Sequence, residues 1–131
     1  MKKIDLQTLK VNFDDTESKE WCDFKEIDMQ ADEIKLGIYI SADLAWFTGH
    51  FPDQAVLPGV VQTHWACELA QYFFSVSGFE KIVNLKFINM VLPEKSLTLV
   101  LNLKSEKKSV TFSFKSETEI FSSGSLRFKQ G

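Results

Sequence analysis

The chain has 131 residues, 44% of them hydrophobic and 25% charged, with a formal charge of -3. That length and balance predict one domain over residues 1–131, and they exclude the usual basic nucleic-acid binder. No apolar run is long enough to span a membrane, and the polar start Met1-Lys2-Lys3-Ile4-Asp5 lacks a leader's apolar stretch.

Two cysteines, Cys22 and Cys67, make no disulfide framework, so a reducing, cytoplasmic setting is expected. Twelve phenylalanines point to a dense core, a subunit interface or an apolar ligand tunnel, and composition does not choose among them. Residues Met1 to Glu20 are mixed and charged and read as a short strand, then a turn at Asp14-Asp15-Thr16. Trp21 to Asp28 reads as a strand whose apolar spacing shifts between Phe24 and Ile27, as a bulge would cause. Ile34, Leu36, Ile38 and Ile40 share one face of the next strand.

Alternation stops over Ser41 to Leu57, which reads as a loop with room for one helical turn. Pro58-Gly59 then opens a helix, because proline fits a first turn whose N–H is not needed. Val61, Trp65, Leu69, Tyr72 and Val76 recur at helical spacing, and Ser77-Gly78 stops the helix after roughly 19 residues. The helix is apolar around much of its girth, which predicts burial on more than one side. Strands follow at Val83 to Val91, Leu97 to Leu103, Val110 to Phe114 and Glu119 to Lys129, with turns at Lys107-Lys108 and Glu117-Thr118. Two strands, one helix and four strands with short links imply an α+β domain with an antiparallel sheet wrapped on the helix.

The segment from Trp46 to Trp65 carries the chemistry. His50 sits between Gly49 and Pro52 among aromatics, and an imidazole with an ordinary pKa near ~6.5 suits proton transfer at neutrality. The free N–H groups of the helix start at Gly59 can donate to a carbonyl oxygen or anion, and glycine permits close approach. A base and an oxyanion-type site together fit enolisation of a carbonyl compound. A lone loop histidine equally needs no function at all.

Gly49-His50-Phe51-Pro52 followed by Leu57-Pro58-Gly59-Val60 resembles the signature of the 3-hydroxyacyl-ACP dehydratases of the hotdog fold. Asn84-Leu85-Lys86-Phe87, Val91-Leu92-Pro93 and Ser123-Gly124-Ser125-Leu126-Arg127-Phe128 are similar to that family's later strands. The wording Pro58-Gly59-Val60-Val61-Gln62 with Trp65-Ala66 is similar to the small aryl-polyene-type (ApeI-like) dehydratases. The resemblance implies that His50 removes the α-proton of a 3-hydroxyacyl thioester while the Gly59 N–H polarises its carbonyl. It implies dehydration to the trans-2-enoyl thioester without a cofactor. It also implies an acyl carrier protein as substrate carrier, and a homodimer or an assembly of dimers in which His50 of one protomer faces residue 64 of the other.

The match breaks at the helix acid of the family, six residues after the proline, where this chain has His64. Ten residues after it stands Glu68, one turn from His64 on the same face. Three readings stay open. His64 protonates the leaving hydroxyl, with Glu68 orienting it or raising its pKa; or Glu68 supplies the carboxylate itself; or the site only binds acyl thioesters. The spacer Asp53-Gln54-Ala55 replaces a commoner Gly-x-Pro, and Glu94-Lys95 replaces a common Gly-Asp turn.

The expected set is therefore His50, His64 and Glu68 for catalysis, with Gly59, Val60, Phe51 and Trp65 for substrate. Trp46, Phe47, Phe51 and Trp65 suit packing or the walls of an acyl tunnel. His50, His64, Cys67 and Glu68 lack the paired spacing of a metal site, so no metal is expected. Lys81, Lys86, Arg127 and Lys129 are candidates for meeting an acidic carrier. An acyl-binding subunit paired with an active homologue, and an acyl thioesterase, are the alternative functions.

Overall fold

In the computed structural model, residues 3–13, 18–47, 55–104, 106 and 108–129 are described. The first element is a helix, α1 (Leu6–Asn12), where a strand was expected. The Asp5 carboxylate accepts from the Thr8 N–H at 2.8 Å and supplies the N-cap. Leu9 is buried and Leu6 and Phe13 pack at the core's edge, a spacing of three and four that a strand could not present to one side.

Strands β1 (Asp23–Met29) and β2 (Glu33–Ile40) pair antiparallel, with a register shift between Phe24 and Glu26 where the apolar spacing anticipates a bulge. In the described part of the following loop, a 3-10 turn, Ala45–Phe47, matches the one-turn allowance. The long helix is α2 (Gly59–Phe74). It ends earlier than expected, because Ser75 itself takes the left-handed conformation (φ 55). Gly78 (φ 70) lies instead inside the next strand, packed on the Lys129 side chain.

Strands β3 (Ser77–Phe87), β4 (Lys95–Lys104), β5 (Ser109–Lys115) and β6 (Ile120–Lys129) complete one antiparallel sheet in the order β1-β2-β4-β5-β6-β3. Val91 falls outside β3; it is buried, and its carbonyl accepts the Leu57 N–H at 2.8 Å.

The core lies between the sheet's inner face and α2. Ile34, Leu36, Ile38 and Ile40 face it from β2, Leu97, Leu99 and Leu101 from β4, and Val110, Phe112 and Phe114 from β5. Each such side chain contributes about 1.5–3 kcal/mol by leaving water. Val61, Trp65, Leu69 and Phe73 meet them from the helix, flanked by Gln62, Ala66 and Ala70. The opposite stripe of α2 is open: Val60, His64 and Glu68 are exposed, and Cys67 and Gln71 are half-buried. Among the described residues, α2 is thus buried on one broad face only, and the expectation of burial on more than one side is corrected.

The two sheet edges differ. At β1 the exposed side chains are mainly charged, and α1 packs against the strand. At β3 the strand is exposed along most of its length and carries Phe79, Leu85 and Phe87, followed by Ile88 and Met90.

Candidate active site

The helix start is built by three consecutive residues. Leu57 is buried and tied to Val91. Pro58 is the N-cap, with φ -58 and ψ 144, and its carbonyl accepts from Val61 (3.1 Å) and Gln62 (3.3 Å). Gly59 begins the helical turns. Among the described residues nothing accepts from the Gly59 or Val60 N–H, so two donors point out of the helix's positive end.

Phe87 covers this start from β3. A Cβ placed on Gly59 would lie 2.5 Å from Phe87 Cζ. The glycine is needed for that approach, and Val60 beside it is, among the described residues, the most exposed large apolar one, at 74%. Beneath the turn, the Gln62 amide donates to the Leu57 carbonyl at 3.2 Å and accepts from the Ser122 hydroxyl at 2.7 Å.

His64 and Glu68 lie one helical turn apart on the open stripe, as their spacing requires. Among the described residues, no hydrogen bond or ion pair joins them. The imidazole instead lies by Trp21, with ring centroids 5.9 Å apart and planes at 42°. Trp21 in turn stacks on Trp65 at 5.9 Å and 20°. Trp65 is fully in the core, and its indole N–H donates to the Glu20 carbonyl at 3.0 Å; the half-buried Trp46 donates to the same oxygen at 2.8 Å. His50 and Phe51 lie outside the described residues.

Electrostatics around the site are set by simple neighbours. Burial, then the Glu68 charge, push the Cys67 thiol up, and burial does the same to Cys22, so neither presents a ready thiolate. Lys19 reaches Asp23 at 2.8 Å and Asp43 at 3.7 Å, and the Asp23 bond raises its pKa. This pins the segment before the candidate histidine to the start of β1, helped by the Ala45 N–H on the Lys19 carbonyl at 2.8 Å. Among the candidate carrier contacts, Lys81 sits directly opposite Arg127 across β3 and β6. The Arg127 Nε is buried with no partner among the described residues.

Sequence reasoning missed Phe87 as the cover of Gly59, Trp21 as the neighbour of His64, and the Gln62–Ser122 pair. Only the last had a signal: a glutamine inside the apolar stripe of a helix.

A family model described as ApeI-like, ApeI dehydratase, matches residues 26–125. The chain therefore belongs to the ApeI-like dehydratase family. Among solved structures it is similar to the dehydratase heterocomplex ApeI:P from Xenorhabdus doucetiae, at 29% identity and a TM-score of 0.76, covering 82% of this chain and 96% of that one. An uncharacterized protein from Erwinia carotovora subsp. atroseptica matches at 33% identity and a TM-score of 0.68, covering 81% and 91%. The zebra fish thioesterase superfamily member 2 shares the fold alone, at 11% identity and a TM-score of 0.57 over 77% of each chain. No curated protein matches. The curved antiparallel sheet with its helix is the hotdog fold, as the resemblance implies.

Proposed function

We propose that this protein dehydrates a 3-hydroxyacyl thioester, carried on an acyl carrier protein, to the trans-2-enoyl thioester, at a site shared by two protomers. The observation that carries this is the α2 start: N–H donors at Gly59 and Val60 with no acceptor among the described residues, one turn before an exposed imidazole at His64, in a chain of a dehydratase family.

In this reading His50 takes the proton from C2. The C–H electron pair moves toward the thioester carbonyl, and the Gly59 N–H holds the developing oxyanion, an effect of a few kcal/mol in comparable sites. The enolate pair then returns to form the C2–C3 double bond as the C3–O bond breaks. His64 gives its proton to the leaving hydroxyl, which departs as water. Trp21, whose ring centroid lies 5.9 Å from that of His64, flanks the imidazole on its own protomer. Glu68, on the same face, is the alternative acid.

The exposed edge of β3 supports the dimer. An edge strand open on one side, with a strip of large apolar side chains, is a template for a neighbour. Val60, His64 and Glu68 are open on the same protomer, as a site completed by a partner requires. Lys81, Lys86 and Lys129 on β3 and β6 suit an acidic carrier.

A second reading is favoured by one observation, the histidine at the family's acid position. There the chain binds the acyl thioester and pairs with an acid-bearing homologue; the similar ApeI:P structure is itself a heterocomplex.

The test is mass spectrometry of purified protein with 3-hydroxyacyl thioesters on carrier protein, alongside His50→Ala, His64→Ala and Glu68→Ala. Water loss that falls about a hundredfold or more in both histidine variants is expected, the usual scale of general acid–base catalysis. Full activity in His64→Ala would transfer the acid role to Glu68. An intact, bound thioester would select the subunit reading, and release of free acid would mean a thioesterase.

A further inference from the structure

We infer that Gln62 and Ser122 are a positioning pair that sets the direction of the Gly59 N–H; the inference rests on the dehydratase reading of the helix start. Both side chains are interior, Gln62 at 3% exposure and Ser122 at 0%. An interior amide and hydroxyl cost free energy unless paired with each other or with the backbone. A methionine at 62 and an alanine at 122 would fill the same space without that cost, so burial alone does not require the polar pair.

The pair acts on one peptide. Counting from the Pro58 N-cap, Leu57 is the residue before the cap and Gln62 is the fourth helical residue. Those two positions are often joined by an apolar contact that fixes how the chain enters a helix. Here the junction is a hydrogen bond from Gln62 Nε2 to the Leu57 carbonyl, 3.2 Å. The carbonyl can only accept, so the amide nitrogen faces it, and the amide oxygen is left to accept from Ser122 Oγ at 2.7 Å. The Leu57 carbonyl thus sets which way the amide is turned, and Ser122 holds its other end in place.

Two peptide planes lie between that bond and the donor. The first, Leu57–Pro58, carries the held carbonyl; the second, Pro58–Gly59, carries the donor N–H. The proline ring locks φ between them, so one torsion, ψ of Pro58, connects the planes. That torsion is fixed from the far side, because the Pro58 carbonyl accepts from Val61 and Gln62 N–H. With both planes held, the Gly59 N–H has one direction. Ser122 is also the cross-strand partner of Phe87, whose ring lies on Gly59. The same rung of the sheet therefore supports the turn from below and covers it from the side.

The experiment joins kinetics to the Gly59 amide resonance in ¹⁵N–¹H spectra. Gln62→Met and Ser122→Ala are compared with the wild-type protein, and Ser122→Thr serves as the conservative variant that keeps a hydroxyl. Gln62→Met is expected to lose about tenfold to a hundredfold in kcat with KM within about twofold, the signature of a misaimed donor. Ser122→Ala falls less in the same direction, Ser122→Thr recovers most of the loss, and the Gly59 resonance moves in the first two. An unmoved Gly59 resonance in Gln62→Met, or a rise in KM at constant kcat, overturns the inference. If Gln62→Met does not fold, Ser122→Ala and Ser122→Thr decide it by the same two readouts. If the wild-type protein shows no dehydration while the Gly59 resonance still responds, the clamp stands and the dehydratase reading falls.

Discussion

The phenyl ring of Phe87 occupies the space that a side chain at residue 59 would need, with Cζ and Cε1 2.5 and 2.7 Å from where a Cβ would stand. The ring is half-exposed, at 52%, and its far end can swing outward. Gly59→Ala should therefore change unfolding free energy by no more than about 1 kcal/mol, since helix propensity favours alanine by a similar amount. Turnover should fall by about tenfold or more, because the methyl and the displaced ring crowd the donor N–H. Phe87→Ala added to Gly59→Ala should return much of the loss. Urea unfolding and steady-state kinetics on the single and double variants check this. A loss of several kcal/mol in Gly59→Ala would mean the ring is fixed.

The β3 edge yields a test of assembly. Leu85 and Ile88 are exposed and apolar, and lie at the end of that edge. Leu85→Lys with Ile88→Lys should lower the sedimentation mass from two chains to one chain of 15.0 kDa. Far-ultraviolet circular dichroism should stay unchanged, since neither side chain is in the core. Activity should disappear with the dimer, because the proposed site draws on both protomers. A wild-type protein that sediments as one chain would remove the shared site.

Trp65 and Trp46 donate to the same oxygen from different depths. Trp65→Phe opens a gap in the core and removes a buried donor, a cost of about 2–4 kcal/mol. Trp46→Phe, at a half-buried position, should cost about 1 kcal/mol, the net value of one hydrogen bond. Chemical denaturation of the two variants measures the difference. Equal losses would show that the shared bond, and not the packing, dominates.

Asp5 carries a pH dependence whose sign can be worked out. Its carboxylate is held below the ordinary value of 3.8, chiefly by the backbone N–H of Thr8. A depressed pKa in the folded state stabilises the cap above the unfolded value, and the stabilisation is lost as pH falls through the folded value. The Thr8 amide resonance should titrate with a midpoint below 3.8. Asp5→Asn, an equally good cap, should abolish that titration while keeping α1 at neutral pH.

Where one face of a strand is apolar, the sequence was readable. The alternation of Ile34 to Ile40 and of Val110 to Phe114 appears directly as buried positions alternating with exposed or half-buried ones, and even the bulge near Phe24 shows in a slipped period. The α1 helix was not readable as such, because its apolar residues are few and its main signal is the side chain of Asp5. The end of α2 is not legible because a serine, Ser75, takes the left-handed conformation that ordinarily falls to a glycine such as the nearby Gly78. Among the candidate site residues, those with chemistry of their own, Gly59, His64 and Glu68, are legible from motif and spacing, and His50 lies outside the described residues. Phe87, Trp21 and Ser122 are not legible, since each matters through a neighbour more than 25 positions away, which no local pattern encodes.

The Glu20 carbonyl has two lone pairs, and the two indoles take both. What this position contributes to that junction is main chain, supplied by every amino acid alike. At this junction the side chains that matter are therefore the two donors, Trp46 and Trp65. An alanine scan would leave the acceptor in place, and its importance would surface only when one of its two donors is removed.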